Sequence, residues 1–213
     1  MDNKLKKLLE IDDYYLYRML LKEDFLYDKI SDEASLIEKS ASSGINEAKS
    51  LLKSRKRINI DKLALDFGLK YKMMPSDNAF SYFKLAEFQE PDTIIFFWEN
   101  IKKADDELRK IKTDIFGNVK IKDIIVAHEV YHEIEFKNKN LYTNNAYVSY
   151  KKMFLFNKKS KIKTSSEIGA MAFAKVLLKL NINPILINYF LSMAYGKEDI
   201  VYEKIMKATN KEK

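Results

Sequence analysis

The chain has 213 residues, of which 46% are hydrophobic, enough to bury a core and too many for a disordered or fibrous protein. Cysteine is absent, which excludes disulfide frameworks, thiolate metal sites and cysteine nucleophiles. The formal charge of +7 is spread among 31 acidic residues, so nucleic acid is not an expected partner.

Residues 1–7 are charged and lack the apolar core of a signal peptide, so a cytoplasmic location is expected. From residue 3 to about 53, Leu5, Leu8, Leu16, Met19, Leu36, Ile37, Ala48 and Leu51 fall at helical spacing. Ser42-Ser43-Gly44 predicts a break between helices, and the basic run 53–57 predicts a junction. The expected division is therefore an N-terminal helical region, 1–57, and a second unit, 58–213. Asn59 or Asp61 can cap a short helix through Phe67, with Gly68 just past its end. Residues 69–74 and 80–88 read as strands separated by a turn at 75–78, and the β-formers 93–97 as a buried strand. An amphipathic helix over 99–112 runs to a connection closed by Phe116-Gly117-Asn118.

The next helix, 121–137, carries Ile124, Ile125, Ala127, Tyr131 and Ile134 on more than one face, which predicts burial. A connector rich in Lys, Asn and Tyr follows. It has no acidic residue between Glu135 and Glu167, and reads as a solvated loop. A helix then runs from 165 to about 180, where Thr164 and Glu167 have the spacing of a capping box. The apolar stretch 170–195 is interrupted by Lys175, Lys179, Asn181 and Pro184, so no membrane span is expected. Helices at 184–195 and 198–209 complete an order of helices, small sheet and helices, an α+β arrangement with the sheet beside the 121–137 helix.

Both histidines of the chain lie in His128-Glu129-Val130-Tyr131-His132. Residues four apart on a helix share a face, with Cβ atoms about 5–6 Å apart, so both imidazoles can reach one ion. Two His and one carboxylate leave the fourth tetrahedral position of zinc open. Glu129, next to the first histidine, then suits a general base. An apolar helix makes two imidazoles and a carboxylate costly unless they have a partner. For the third ligand Glu167 is preferred, because Gly169 and Ala170 let its helix approach closely. Glu135 is the rival, seven and three residues after the two histidines. Tyr142, Tyr147 and Tyr150 are candidate donors to an oxyanion.

These residues resemble the ImmA/IrrE family of zinc metallopeptidases. The likeness spans about residues 58–180. It rests on 58–64 with Phe67-Gly68-Leu69-Lys70, on the strand 93–97, on Ala127-His128-Glu129 with His132, and on Glu167-Ile168-Gly169-Ala170. It implies a zincin-like fold, one zinc per chain held by His128, His132 and Glu167, and Glu129 as base. A protein or peptide substrate, often a regulatory protein, is also implied. Tyr131 stands where the family usually has Gly, and Met171 where a polar residue is frequent; a reshaped cleft is expected from the first. A regulatory or interaction module that binds zinc without catalysis is the alternative, and lysines flanking the cleft would favour an acidic substrate.

Overall fold

A computed structural model describes residues 3–55, 57–76, 84–89, 91–111, 115–152 and 156–210. The N-terminal region folds as α1 (Asn3–Leu9), α2 (Asp13–Lys22) and α3 (Glu33–Ser54). Asp12 accepts from the Tyr14 amide and Asp32 from the Ser35 amide, so each caps the helix that follows it. In α4 (Ile60–Asp66) Asn59 accepts from the Lys62 amide, and the chain leaves through Gly68 at φ +89°. Only glycine takes that conformation freely, as its place in the sequence predicts.

A small mixed sheet comes next, built from β1 (Lys70–Met74), β2 (Ala86–Gln89) and β3 (Thr93–Phe97). β3 is central, parallel to β1 and antiparallel to β2. Its Ile94 and Phe96 are fully buried, which accounts for the compact run of β-formers. The predicted turn at 75–78 and the start of the strand predicted at 80–88 lie partly outside the described residues. α5 (Trp98–Lys110) and α6 (Ile121–Lys137) follow, then α7 (Tyr142–Asn145), β4 (Tyr147–Lys152) and β5 (Phe156–Lys161). The chain continues through α8 (Thr164–Leu177), α9 (Ile187–Met193) and α10 (Glu198–Thr209). The fold is α+β and mostly helical. One hydrophobic core includes Leu16 of α2, Ala48 of α3, Phe96 of β3, Tyr131 of α6 and Phe173 of α8. No helix of the described residues is long and apolar enough to cross a membrane.

Two expectations need correction. The predicted break at Ser42-Ser43-Gly44 does not occur: α3 runs through it for 22 residues. Gly44 is there because α8 lies against it. A Cβ on Gly44 would come within 1.9 Å of the Gly169 carbonyl oxygen and 2.9 Å of the Phe173 amide nitrogen. Ser40, Gly44 and Ala48 form a buried stripe at four-residue spacing, and Ser40 Oγ pairs with Ser165 Oγ at 2.8 Å. The stripe lets two helices approach closely instead of ending one of them. The second correction concerns the connector, which is a β-hairpin. β4 and β5 pair antiparallel from Tyr147 opposite Lys161 to Lys152 opposite Phe156.

Helix propensity alone would make Gly44→Ala stabilising by about 1 kcal/mol. The packing reverses that sign. The variant should lose about 1–3 kcal/mol of stability in urea unfolding, the usual cost of overpacking. A neutral or stabilising effect would show that α3 and α8 do not touch at this point.

Candidate metal centre

α6 and α8 meet so that the sequence-predicted ligands come together. His128 Nε2 lies 3.0 Å from His132 Nε2 and 3.3 Å from Glu167 Oε2, and His132 Nε2 lies 3.6 Å from Glu167 Oε1. The two imidazoles are mostly buried and Glu167 is half exposed, so the group opens to solvent on the α8 side. Tetrahedral zinc, with bonds of about 2.0–2.2 Å, requires ligand atoms roughly 3.3–3.6 Å apart. Both nitrogen–carboxylate separations fall in that range and the nitrogen–nitrogen separation is about 0.3 Å short of it, so small side-chain shifts would let His128, His132 and Glu167 bind a metal.

The electrostatics point the same way. Burial of His128 favours its neutral form. The hydrogen bond to Glu167 and the charges of Glu167 and Glu129 outweigh that and raise its pKa. Desolvation pushes the Glu167 carboxyl up, and the hydrogen bond to His128 with the charges of both histidines holds it down to about 2. The carboxylates thus draw positive charge to the point between the imidazoles, which a bound cation supplies without protonating them.

The capping box expected from Thr164 and Glu167 is not formed. The Thr164 amide and hydroxyl both bond to Asp24 Oδ2, at 3.2 and 2.8 Å, so a buried carboxylate from the turn after α2 covers the start of α8. Glu167 is left to face the histidines.

Glu135 takes a different place from the one its spacing suggested. Its carboxylate lies on the Nδ1 side of His132, at 3.6 Å, away from the ligand atoms. Ser166 Oγ stands between them. It donates to Glu135 Oε2 and lies 3.1 Å from His132 Nδ1. With its own hydrogen committed to Glu135, the serine oxygen accepts from Nδ1–H, which leaves the Nε2 lone pair free for a metal. Burial raises the Glu135 carboxyl, but the nearby His132 ring, the Ser166 hydroxyl and Thr143 bring it down to about 2. The sequence reading missed Ser166. Its signal was the Glu135 spacing, which places a carboxylate behind His132 as readily as in front of it.

Glu129 is buried and lines the cleft together with His128 and Glu167. Met171 lines the same cleft. Tyr131 does not reshape it. The ring is fully buried behind α6, with its hydroxyl 3.2 Å from Ser43 Oγ and 3.0 Å from Thr143 Oγ1. A Cβ on Gly169 would lie 2.6 Å from that hydroxyl, so Tyr131 and Gly169 fix the contact between α6 and α8. The three proposed oxyanion donors are not brought to the site. Lys39 lies over the Tyr142 ring and Lys159 over the exposed Tyr147, while Tyr150 reaches Ser160 Oγ at 3.4 Å. None of the three lines the cavities around the ligands.

Searches of protein-family models, curated proteins and solved structures find no match to this chain.

Ser166→Ala removes the acceptor that orients His132 but no ligand atom. Metal affinity, measured by competition with a chromogenic chelator, should fall about 10–100-fold while the fold persists. Unchanged affinity would remove Ser166 and Glu135 from the metal centre.

Proposed function

We propose that the protein is a zinc-dependent metallopeptidase of the gluzincin type, with a zincin-like arrangement resembling the ImmA/IrrE family. The observation that carries this reading is the convergence of His128 Nε2, His132 Nε2 and the Glu167 carboxylate beside Glu129 in an open cleft. His128, His132 and Glu167 would hold one zinc per chain. Such an ion supplies Lewis acidity and makes water nucleophilic near pH 7.

The chain's own groups then have separable tasks. Glu129, one residue after His128 on α6, takes a proton from the attacking water and returns it to the leaving amine. The Ser166–Glu135 pair keeps His132 in one tautomer and orientation. β2 forms the wall opposite the two helices, with Ala86 and Phe88 lining the cleft. Among the described residues β2 pairs only with β3, so its other edge can accept an extended peptide by main-chain hydrogen bonds. That edge favours a protein or peptide over a small substrate. A cytoplasmic setting completes the reading, in keeping with a cysteine-free chain.

Glu129→Gln separates catalysis from metal binding, because it removes the base and leaves all three ligands. Turnover of unstructured peptides, followed by mass spectrometry, should fall about 10²–10⁴-fold with zinc content unchanged. Zinc-loaded wild-type protein that cleaves no better than this variant would sink the peptidase reading and leave a zinc-binding module.

A further inference from the structure

The metal group lies in the middle of a longer cleft. One cavity, bounded by β2 on one side, contains His128, His132 and Glu167 and has Lys161 and Lys163 in its wall. It shares Phe88 and His132 with a neighbouring cavity of about 330 Å³, lined also by Pro91 and Phe136. We infer that this cleft selects peptide segments with an acidic side chain beside the scissile bond and a bulky apolar side chain on the His132 side. The inference rests on the peptidase reading above and names its substrate class.

Charge pairing within the cleft supports the acidic preference. Glu87 pairs with Lys84 at 3.0 Å, and Glu133 with Lys137 at 3.0 Å. Glu135 is engaged by Ser166, and Glu167 by the two histidines. Glu129 lines the same cavity, and neither it nor any of these carboxylates forms an ion pair with Lys161 or Lys163. The Lys161 ammonium donates to Asn144 Oδ1 at 3.1 Å, a neutral acceptor. Lys163 forms no ion pair with any described residue. The chain cannot neutralise them locally either, since no acidic residue lies between Glu135 and Glu167.

Their backbone is fixed. Lys161 ends β5, and the next residue, Ile162, is buried and donates to the Ala146 carbonyl at 2.9 Å. Asn144 holds Lys161 while its amide group donates to the carbonyls of Glu135 and Asn138 at the end of α6. The two ammonium groups are thus carried to the cleft on a tethered turn, Lys161 held by Asn144 and Lys163 exposed, and paired cations lining a cleft favour anionic over neutral ligands.

The apolar side has its own signature. Phe136 lies on the metal helix and is 68% exposed. Phe88 and Pro91 line the same cavity, and Lys139 sits 4.3 Å from the centre of its ring. An apolar side chain entering between these rings would remove their faces from water. A polyanion such as single-stranded nucleic acid would meet the lysines but would leave both this pocket and the β2 edge unused.

The test uses zinc-loaded Glu129→Gln protein and fluorescein-labelled unstructured peptides. These carry a central Leu or Phe flanked by Asp or Glu, by Asn or Gln, or by Lys. Anisotropy should show the acidic peptides binding about tenfold or more tightly than their amide counterparts at low salt, with the advantage shrinking at about 0.5 M salt. Replacing Leu or Phe by Ser should weaken binding. The preference should vanish in Lys161→Gln/Lys163→Gln and reverse toward Lys peptides in Lys161→Glu/Lys163→Glu, with zinc content unchanged in both. Equal binding of acidic and amide peptides, or a preference that survives both double variants, overturns the inference. So does an oligonucleotide of matched length that displaces the acidic peptide at lower concentration than the unlabelled peptide itself. Cleavage of the same peptides by wild-type protein is scored separately. Cleavage without acidic preference defeats the substrate inference alone, whereas acidic preference in binding without any cleavage defeats the peptidase reading alone.

Discussion

The site depends on the passage of α8 between α3 and α6 at Gly169. On one side the Gly169 carbonyl lies so near Gly44 that no side chain fits between them. On the other, the Tyr131 ring occupies the space where a Gly169 side chain would be. Close packing of this kind leaves little freedom to slide or rotate, because any shift opens a void or forces a clash. Glu167 lies two residues before this contact and Ser166 three, so its geometry sets where both stand relative to His128 and His132. The Ser40–Ser165 hydrogen bond and the Asp24–Thr164 pair tie down the same end of α8. The N-terminal helices therefore help to position the His128–His132–Glu167 group without adding a residue to it.

Within that frame the carboxylates are divided among different tasks. Glu167 faces the ring nitrogens that point into the cleft. Glu135 sits behind His132 and acts through Ser166, and Glu129 stands beside the open space. Buried groups of like charge at close range would repel one another and take up protons. Here Glu135 and Glu167 each have hydrogen-bond donors or imidazoles of their own, and both carboxyls stay ionised well below neutral pH. The arrangement suits a cation at one point and negative charge on either side of it.

The His128–His132–Glu167 group was legible because its signal is local. His128 and His132 are one helical turn apart, and the small residues Gly169 and Ala170 mark Glu167 as lying on a helix that can come close. The helix cap at Asn59, the glycine exit at Gly68 and the buried strand over 93–97 were legible for the same reason. Where the sequence misled, a distant partner decided the structure. Ser42-Ser43-Gly44 has the composition of a break, but α8 turns it into a packing stripe. Thr164 and Glu167 have capping-box spacing, yet Asp24, 140 residues away in sequence, takes over the cap. The hairpin β4–β5 carries five lysines and little strict alternation, so propensity alone could not separate it from a loop. Tyr131 could be seen as bulky but not as turned toward Ser43 and Thr143, since the direction of a side chain around a buried helix depends on what packs there.

The most direct measurement is the metal content of the purified protein by elemental mass spectrometry, together with His128→Ala and Glu167→Ala. The account expects about one zinc per chain in the wild type and little in either variant, each of which lacks one of three protein ligands. Protein purified without chelator that carries no metal and takes up no added zinc would contradict it. So would a Glu167→Ala variant that binds zinc as tightly as the wild type.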